Sequence, residues 1–454
     1  MINIVALLAF YFAFFLPCLA FFRPLEAALL SPLVGGLFSL TAFMLYLQFS
    51  LPILPCFLTT VFFTLATLLL NNSLQHRVIG SLCQHWRLDE WIVLAIGFLA
   101  FVVGSYRLPL PGHDAKFIWL LQAHWMNNNA STFRALVGTE TSYHADYPKL
   151  IQSSVAVIWK ISGQSNYLVA TTFILIVTLS TTALAVLCVL RVTGSRSKYS
   201  TISVASLLFL ASLTTGDGLA NQGYVDVLLA GTLLCFAIIS LTQRSRPALG
   251  SDYIMLALLA GYAVSLKQEG LFHILLLALL LFLLGRRRFA LIATLASAPF
   301  WLIWASLRRA WAVPSTSDLS GWSSRITEIA RPGSKFWKVM LEILSDLGRK
   351  DFLGLMLVLV VLFGLSGLVK DGEMQAAVRA MSLLSVTVAG ATYVGYGLGA
   401  ARGVLPLWYS SSFSRIMATP AYYILGALVM ILCSQVGTSE VSVASSTLVH
   451  DDQR

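Results

Sequence analysis

A few short segments of this chain carry side chains that can move protons or hold an anion, although most of the sequence is apolar. The segment 142–152, SYHADYPKLIQ, combines a histidine, an aspartate, two tyrosines and a lysine between two apolar stretches. Ionisable residues also occur in other short polar segments between apolar stretches. The candidates for a functional site are Asp114, His144, Asp146, Asp226, Lys267, Glu269 and Arg415. Carboxylates and histidine act as general acids and bases, and lysine and arginine bind phosphate. Such a set is suited to proton transfer beside an anionic group.

The elements that must position these residues are membrane-spanning helices. The chain has 454 residues, 57% hydrophobic and 11% charged, which excludes a water-soluble domain. About thirteen windows have roughly the 17–25 apolar residues that cross a bilayer; they lie near 3–22, 27–47, 51–70, 90–106, 165–190, 200–215, 223–242, 252–267, 270–285, 289–311, 352–369, 379–399 and 416–434. Hydrocarbon cannot pair backbone groups, so these windows must be helices. We therefore predict an all-α, polytopic integral membrane protein.

The distribution of basic residues predicts which loops face the cytoplasm. A net charge of +10 could indicate nucleic acid binding, but the basic residues are scattered through short loops, so we expect no nucleic acid partner. Alternate loops after residue 190 are basic: Arg191, Arg196 and Lys198; Arg244 and Arg246; Arg286, Arg287 and Arg288; Lys370 and Arg379. By the positive-inside rule these loops are cytoplasmic. The segments 107–164, 216–223, 266–270, 312–351 and 400–415 then face outward, and they contain the candidate residues.

The long outward segment 107–164 is too apolar for a solvated linker and too polar to span. Its two parts, 114–126 and 147–161, predict amphipathic helices on the membrane surface, the second starting at Tyr147-Pro148. We divide the chain into N-terminal helices, 1–89, whose role and orientation the sequence does not indicate, a module over 90–434, and a polar C-terminal tail, 435–454.

Each candidate also has a purely structural interpretation. Lys267 and Glu269 could be snorkelling residues at the interface, and Arg415 could anchor a helix end. Asp226 could serve only the dipole of a helix N-terminus, and His144 could be a structural hydrogen-bonding residue. Independent snorkelling residues should appear on both faces of the membrane. The concentration of these residues on the outer face therefore favours a shared site.

The order of the motifs resembles that of bacterial GT-C membrane glycosyltransferases, distant relatives of the protein O-mannosyltransferases and of the lipid A aminoarabinose transferases. The resemblance covers residues 107 to about 420 and rests on Asp114-x4-Trp119, His144-x-Asp146-Tyr147-Pro148, Gly223-Tyr224-x-Asp226, Lys267-x-Glu269-Gly270 and Ser412-x-x-Arg415. Two departures concern charge: Gln122-Ala123-His124 stands where the family has K-A-K, and Trp408 stands where it has histidine. The first departure weakens or replaces a cationic contact.

The resemblance implies a GT-C fold and a glycosyltransferase of the bacterial inner membrane, with its active site facing the periplasm or exterior. Such enzymes take a hexosyl or pentosyl group from a polyprenyl-phosphate donor. They transfer it, usually with inversion, to a hydroxyl of a glycan or lipid acceptor. The expected partners are therefore the lipid-linked sugar donor, the acceptor and the membrane lipids.

The resemblance and the chemistry together assign roles. Asp114 is the expected general base, Lys267 and Arg415 the cations for the donor phosphate, and His144 could assist either task. Asp146 or Asp226 could be the base instead, or both could hold Mg²⁺, Mn²⁺ or Ca²⁺ with Glu269, although no cofactor is required. The expected substrate contacts are Trp119, Tyr147, Asp226, Glu269 and Trp408. The tryptophans could equally belong to the interfacial aromatic belt.

Two other functions are compatible with a polytopic chain. A polysaccharide polymerase or ligase would join preassembled lipid-linked glycans, but its arginines should dominate large outer loops, whereas here carboxylates are as prominent as cations. A transporter or flippase should carry charged or broken segments near the bilayer midplane and a repeat relating two halves. The interiors of the spans from 165 to 311 are nearly uncharged.

Overall fold

The computed structural model describes residues 2–49, 51–106, 115–137, 147–195, 197–214, 224–242, 250–310, 313, 331, 337–338, 353–400 and 417–451. The regular elements in these ranges are all helices, which confirms the all-α prediction for this part of the chain. The predicted site residues Asp114, His144, Asp146, Trp408 and Arg415 lie outside the described residues.

The helices follow the predicted windows closely. The first part of the chain forms α1 (Ile2–Phe12), α2 (Phe15–Leu19), α3 (Pro24–Phe49), α4 (Ile53–Leu70), α5 (Asn72–Leu82) and α6 (Leu88–Ser105). The predicted outer loop contains a π-helical turn, Ala115–Leu120, that runs into α7 (Leu121–Asn128), then α8 (Ala130–Val137) and α9 (Leu150–Ser162). The rest forms α10 (Tyr167–Thr193), α11 (Lys198–Thr214), α12 (Asp226–Thr242), α13 (Gly250–Leu266), α14 (Gln268–Leu283), α15 (Arg287–Ala310), α16 (Leu353–Ser366), α17 (Gly372–Ala400) and α18 (Ala418–Asp451).

Eight helical segments of the described chain are long and apolar enough to cross a membrane, as expected of a polytopic membrane protein. They are Ile2–Leu19, Pro24–Phe49, Ile53–Leu70, Leu88–Ser105, Tyr167–Thr193, Arg287–Ala310, Gly372–Thr392 and Ala418–Gln435. Helices α11 to α14 and α16 are apolar but shorter, and they lie at the other predicted spans. The total of about thirteen spans stays a prediction.

Local chemistry explains where several helices begin and end. The side chain of Asn166 accepts hydrogen bonds from the backbone nitrogens of Leu168 and Val169 and so caps α10. Gly163 ends α9 and Gly194 ends α10, both with a positive φ that side chains with a Cβ rarely adopt. The apolar helices are thereby joined by short connections.

Ion pairs lie at both ends of the helical bundle. At one end, Arg191 pairs with Glu26 and, at 3.2 Å, with Asp252 near the start of α13. At the other end, Lys267 follows the last residue of α13 and pairs with Asp226. A helix rises about 1.5 Å per residue, so α13 separates the two clusters by roughly 22 Å. The positive-inside argument predicts that the Arg191 cluster faces the cytoplasm and the Lys267 cluster the outer side.

The prediction of an exposed amphipathic helix over 147–161 is wrong in two respects. The helix begins at Leu150, and Tyr147, Pro148 and Lys149 form the turn before it. Every residue from Leu150 to Trp159 is buried, so this helix has no solvated face over most of its length. The sequence pattern could not reveal this burial because the covering surface comes from distant parts of the chain.

That cover comes largely from the N-terminal helices, which gives a structural role to the first part of the chain. Helices α1, α3 and α4 all pack against α9, and α7 packs on it as well. Gly36 permits the close approach: a Cβ at this position would lie 3.3 Å from Leu150 Cδ2 and 3.4 Å from Ser154 Oγ. The N-terminal helices and the outer-loop helix therefore belong to one packed core.

Candidate functional site

The centre of the candidate site is a buried lysine in the connection between α13 and α14. Only Lys267 separates the two helices, so its position is set by both. Its Nζ donates to Asp226 Oδ1 at 2.8 Å and lies 3.8 Å from Glu269 Oε1. The side chains of Lys267 and Asp226 are each 7% exposed. Two carboxylates thus face one ammonium where α12 begins and α13 ends.

The tight connection depends on Gly270. Its nitrogen donates to the carbonyl oxygen of Lys267 at 3.1 Å, which folds the chain into the first turn of α14. A Cβ at this position would overlap the carbonyl oxygen of Ala263 and lie 2.6 Å from its carbonyl carbon. Atoms of the backbone cannot rotate away as a side chain can, so the close approach of α13 and α14 requires glycine here.

The environment of Lys267 keeps its ammonium charged. Burial by itself lowers the pKa of Lys267, but the negative charges of Asp226 and Glu269 outweigh it and raise the pKa above the ordinary value of 10.5. Asp226 lies in the first turn of α12, where the helix dipole favours a negative charge. The ammonium of Lys267 is therefore charged throughout the physiological pH range.

An aromatic surface adjoins the ion pair. The hydroxyl of Tyr147 donates to Glu269 Oε1 at 3.4 Å, and Lys267 Nζ lies 5.6 Å from the centre of the Tyr147 ring. The indole of Trp119 lies beside the ring of Tyr147, with the two ring centres 5.8 Å apart and the planes tilted by 30°. Aromatic faces beside charged and hydrogen-bonding groups are a frequent arrangement in ligand sites.

A second buried lysine, which the sequence analysis did not select, lies two residues after Tyr147. Lys149 is fully buried, its Nζ donates to Gln122 Oε1 at 2.8 Å, and it lies 5.1 Å from the centre of the Trp304 ring. Gln152 also donates to Gln122 Oε1, at 3.3 Å. Gln122 occupies the position at which the GT-C glycosyltransferases have a lysine in the first motif. The ammonium of Lys149 lies next to it.

Within the part of the chain that the structure describes, three buried polar atoms around this cluster have no hydrogen-bond partner: Trp119 Nε1, Glu269 Oε2 and His273 Nδ1. His273 is 4% exposed and lies one helical turn after Glu269 in α14, on the same side. Each polar atom that is buried without a partner costs about 1–3 kcal/mol. Three such atoms around one ion pair mark a place where a polar ligand would be stabilising.

The structure brings together five of the residues selected from the sequence: Trp119, Tyr147, Asp226, Lys267 and Glu269. Tyr147 and Glu269 are 122 positions apart in sequence, and Asp226 and Lys267 are 41 apart. Their contacts show that segments with no sequence proximity meet at one end of the helical bundle. The roles predicted for Asp114, His144, Asp146, Trp408 and Arg415 lie outside the described residues.

Two residues of the site escaped the sequence analysis. Lys149 was treated as part of a surface helix, although it stands in the same polar segment as Tyr147. His273 was overlooked, although its spacing of four residues from Glu269 places both on one face of α14. Helical spacing from an already selected carboxylate was the signal that could have found it.

The sequence also predicts, as an alternative, a divalent cation held by Asp146, Asp226 and Glu269. In the structure, Asp226 and Glu269 face an ammonium group. The ammonium of Lys267 lies between Asp226 and Glu269 and neutralises part of their charge. Among the described residues, no three histidine, cysteine, aspartate or glutamate side chains are grouped so that they could hold a metal ion. Cation binding stays a prediction that involves Asp146, outside the described residues.

Comparison with known proteins adds no relative to this picture. No protein-family model matches the chain, and neither a curated protein nor a solved structure shows significant similarity to it.

Proposed function

We propose that this protein is a membrane glycosyltransferase of the GT-C type that uses a polyprenyl-phosphate-linked sugar as donor. The hydroxyl of a glycan or lipid acceptor attacks the anomeric carbon. A bond forms between this carbon and the acceptor oxygen, while the bond to the phosphate oxygen breaks. The acceptor proton passes to a carboxylate, and polyprenyl phosphate leaves with inversion at the anomeric carbon.

The observation that carries the proposal is the contact cluster of Trp119, Tyr147, Asp226, Lys267 and Glu269. It combines an aromatic surface, a carboxylate and a buried ammonium at the ends of apolar helices. A sugar requires the first two features, and a phosphate requires the third. A site at the ends of spanning helices also suits a donor whose prenyl chain remains in the bilayer.

In this proposal Lys267 and Arg415 bind the donor phosphate. The ammonium of Lys267 has three N–H groups, and one of them donates a hydrogen bond to Asp226 Oδ1 at 2.8 Å. Glu269 lies at 3.8 Å, beyond ordinary hydrogen-bonding distance, so a phosphate oxygen can approach the same ammonium without breaking the pair with Asp226. Trp119, Tyr147, Glu269 and Trp408 contact the sugar, and Asp226 holds Lys267 in place.

Asp114 is the proposed general base, and His144 and Asp146 are proposed to assist it. We further propose that the reaction takes place at the outer face of a bacterial inner membrane. The basic loops after residue 190 support this orientation, because Arg191, which follows the rule for the cytoplasmic side, lies at the end of the bundle opposite to Lys267.

Transfer assays with membranes containing the protein test this function. A panel of labelled polyprenyl-phosphate sugars is supplied, and both sugar transfer and release of polyprenyl phosphate are measured. Asp114→Asn should lower transfer by about 10²–10⁴-fold, the usual contribution of a general base.

Asp371→Asn is the matched control. Asp371 caps the start of α17 by accepting a hydrogen bond from the nitrogen of Glu373 at 2.8 Å. Asparagine caps a helix about as well as aspartate, so this variant should transfer sugar at the wild-type rate. Unchanged transfer in Asp114→Asn would overturn the assignment of the base. Absence of polyprenyl phosphate release from every donor would favour a polymerase, ligase or transporter.

A further inference from the structure

One polar group in the site has no role in the function proposed above. His273 lies inside the apolar helix α14, where a histidine side chain is costly unless it is used. It is 4% exposed, and its Nδ1 has no hydrogen-bond partner among the described residues. Its neighbour one turn earlier is Glu269, whose Oε2 is also buried without a partner.

A second residue of the site, Trp119 in the π-helical turn, also has a buried polar atom without a partner among the described residues. Trp119 is 1% exposed, and its indole N–H is unpaired. Trp119 and Glu269 both contact Tyr147, one at its ring and the other at its hydroxyl. The three atoms thus belong to residues that are linked through Tyr147 and through one face of α14. They comprise an N–H donor, a carboxylate acceptor and an imidazole nitrogen that can donate or accept.

The chemistry of these atoms indicates what they bind. A phosphate placed at these three atoms, away from the ammonium of Lys267, would be repelled by the carboxylate of Glu269, and an apolar group would leave all three atoms unpaired. A sugar hydroxyl both donates and accepts a hydrogen bond, so neighbouring hydroxyls can satisfy a donor and an acceptor at once. The tilted rings of Trp119 and Tyr147 supply the apolar surface against which a sugar ring packs.

We propose that His273 Nδ1, Trp119 Nε1 and Glu269 Oε2 bind hydroxyl groups of the donor sugar, with His273 as a specificity-determining residue. This inference rests on the proposed function and assigns these residues to the sugar and not to the phosphate. The sugar then lies between Glu269 and His273, one turn further along α14, and the phosphate lies at Lys267.

Binding measurements on the purified, detergent-solubilised protein test the assignment. The probes are the polyprenyl-phosphate sugar that the wild type transfers and polyprenyl phosphate alone, and the measured quantity is the ratio of their Kd values. The amide of asparagine reaches the position of Nδ1, whereas that of glutamine reaches the position of the other ring nitrogen. His273→Asn should keep the ratio close to that of wild type, and His273→Gln should reduce the preference for the sugar by about 10-fold.

Trp119→Phe keeps an aromatic ring but removes the N–H, and it should reduce the ratio by a similar factor. His76→Gln, at an exposed position of α5, is the control and should change nothing. A thermal unfolding midpoint recorded for each variant separates loss of binding from loss of fold.

Equal ratios for His273→Asn and His273→Gln, or equal weakening of both probes, would overturn the assignment while leaving the glycosyltransferase proposal intact. A wild-type protein that binds or transfers no lipid-linked sugar would instead defeat the proposed function itself, and this inference with it.

Discussion

Replacing Gly270 by alanine isolates the geometry of the site from its chemistry, because no charged or hydrogen-bonding side chain is altered. The added Cβ would lie 2.6 Å from the carbonyl carbon of Ala263, whereas real Cβ atoms essentially never approach within 3.0 Å. Alanine should gain about 0.5–1 kcal/mol over glycine in a helix. Overpacking against a rigid neighbour costs about 1–3 kcal/mol, so the net effect should be a loss of stability.

The larger consequence is expected for activity. Helices α13 and α14 must move apart at the residues that hold Lys267 and Glu269. A displacement of about 1 Å at reacting groups can lower a rate by about 10²-fold. We therefore expect Gly270→Ala to reduce sugar transfer by about that factor, with a smaller decrease in the thermal unfolding midpoint.

Gly364→Ala provides the matched comparison. Gly364 lies in α16, and a Cβ there would meet nothing within 4 Å. This variant should keep wild-type transfer and unfold at the same temperature or slightly higher. The reasoning would be refuted by a folded Gly270→Ala protein with wild-type transfer, because the close approach of the two helices would then have no bearing on the site.

Three further predictions concern the buried ion pairs. Lys267→Met should lower the free energy of unfolding by about 3–5 kcal/mol, because it leaves Asp226 buried without its cation. In denaturant titrations the double variant Lys267→Met/Asp226→Asn should recover part of this loss. A double variant as unstable as Lys267→Met would contradict a direct interaction between the two side chains. The raised pKa of Lys267 means that its contribution is fully present below about pH 10.4 and is lost only as the pH rises through the raised value. The stability difference between wild type and the double variant Lys267→Met/Asp226→Asn, which lacks both partners of the pair, should therefore be constant from about pH 6 to 9; a change within that window would show that Lys267 is not held in its charged form. Arg191→Gln should lower the thermal unfolding midpoint, because Glu26 and Asp252 then repel each other without the cation between them. The decrease should be small because the arginine side chain is 34% exposed, and adding Glu26→Gln should raise the midpoint part of the way back to that of wild type.

The helical framework could be predicted because a bilayer leaves few alternatives for an apolar chain. The window 289–311 corresponds to Arg287–Ala310, and 165–190 to Tyr167–Thr193. Helix α5 was missed because NSLQHRVIGSL has too many polar residues to form a spanning window. Its position is set by packing against α2 and α4, which no local pattern reports.

The site was predictable in composition but not in its pairing. Sorting residues by membrane side selected Asp226, Lys267 and Glu269 from the sequence. The bond between Lys267 and Asp226, and the contact of Tyr147 with Glu269, depend on how α12, α14 and the outer loop pack together. The spacing of His273 from Glu269 was visible in the sequence, but its meaning became clear only when both atoms were found buried and unpaired.

The packing of α1, α3 and α4 around α9 has a consequence for how the chain can be divided. A shortened protein starting near residue 90 would retain every motif residue, yet the surface from Leu150 to Trp159 would lose its protein neighbours. Such a fragment should associate or be degraded instead of acting as a minimal enzyme. During synthesis of the full chain, by contrast, α1, α3 and α4 are made before α9. The helices that bury α9 are therefore already present when it emerges.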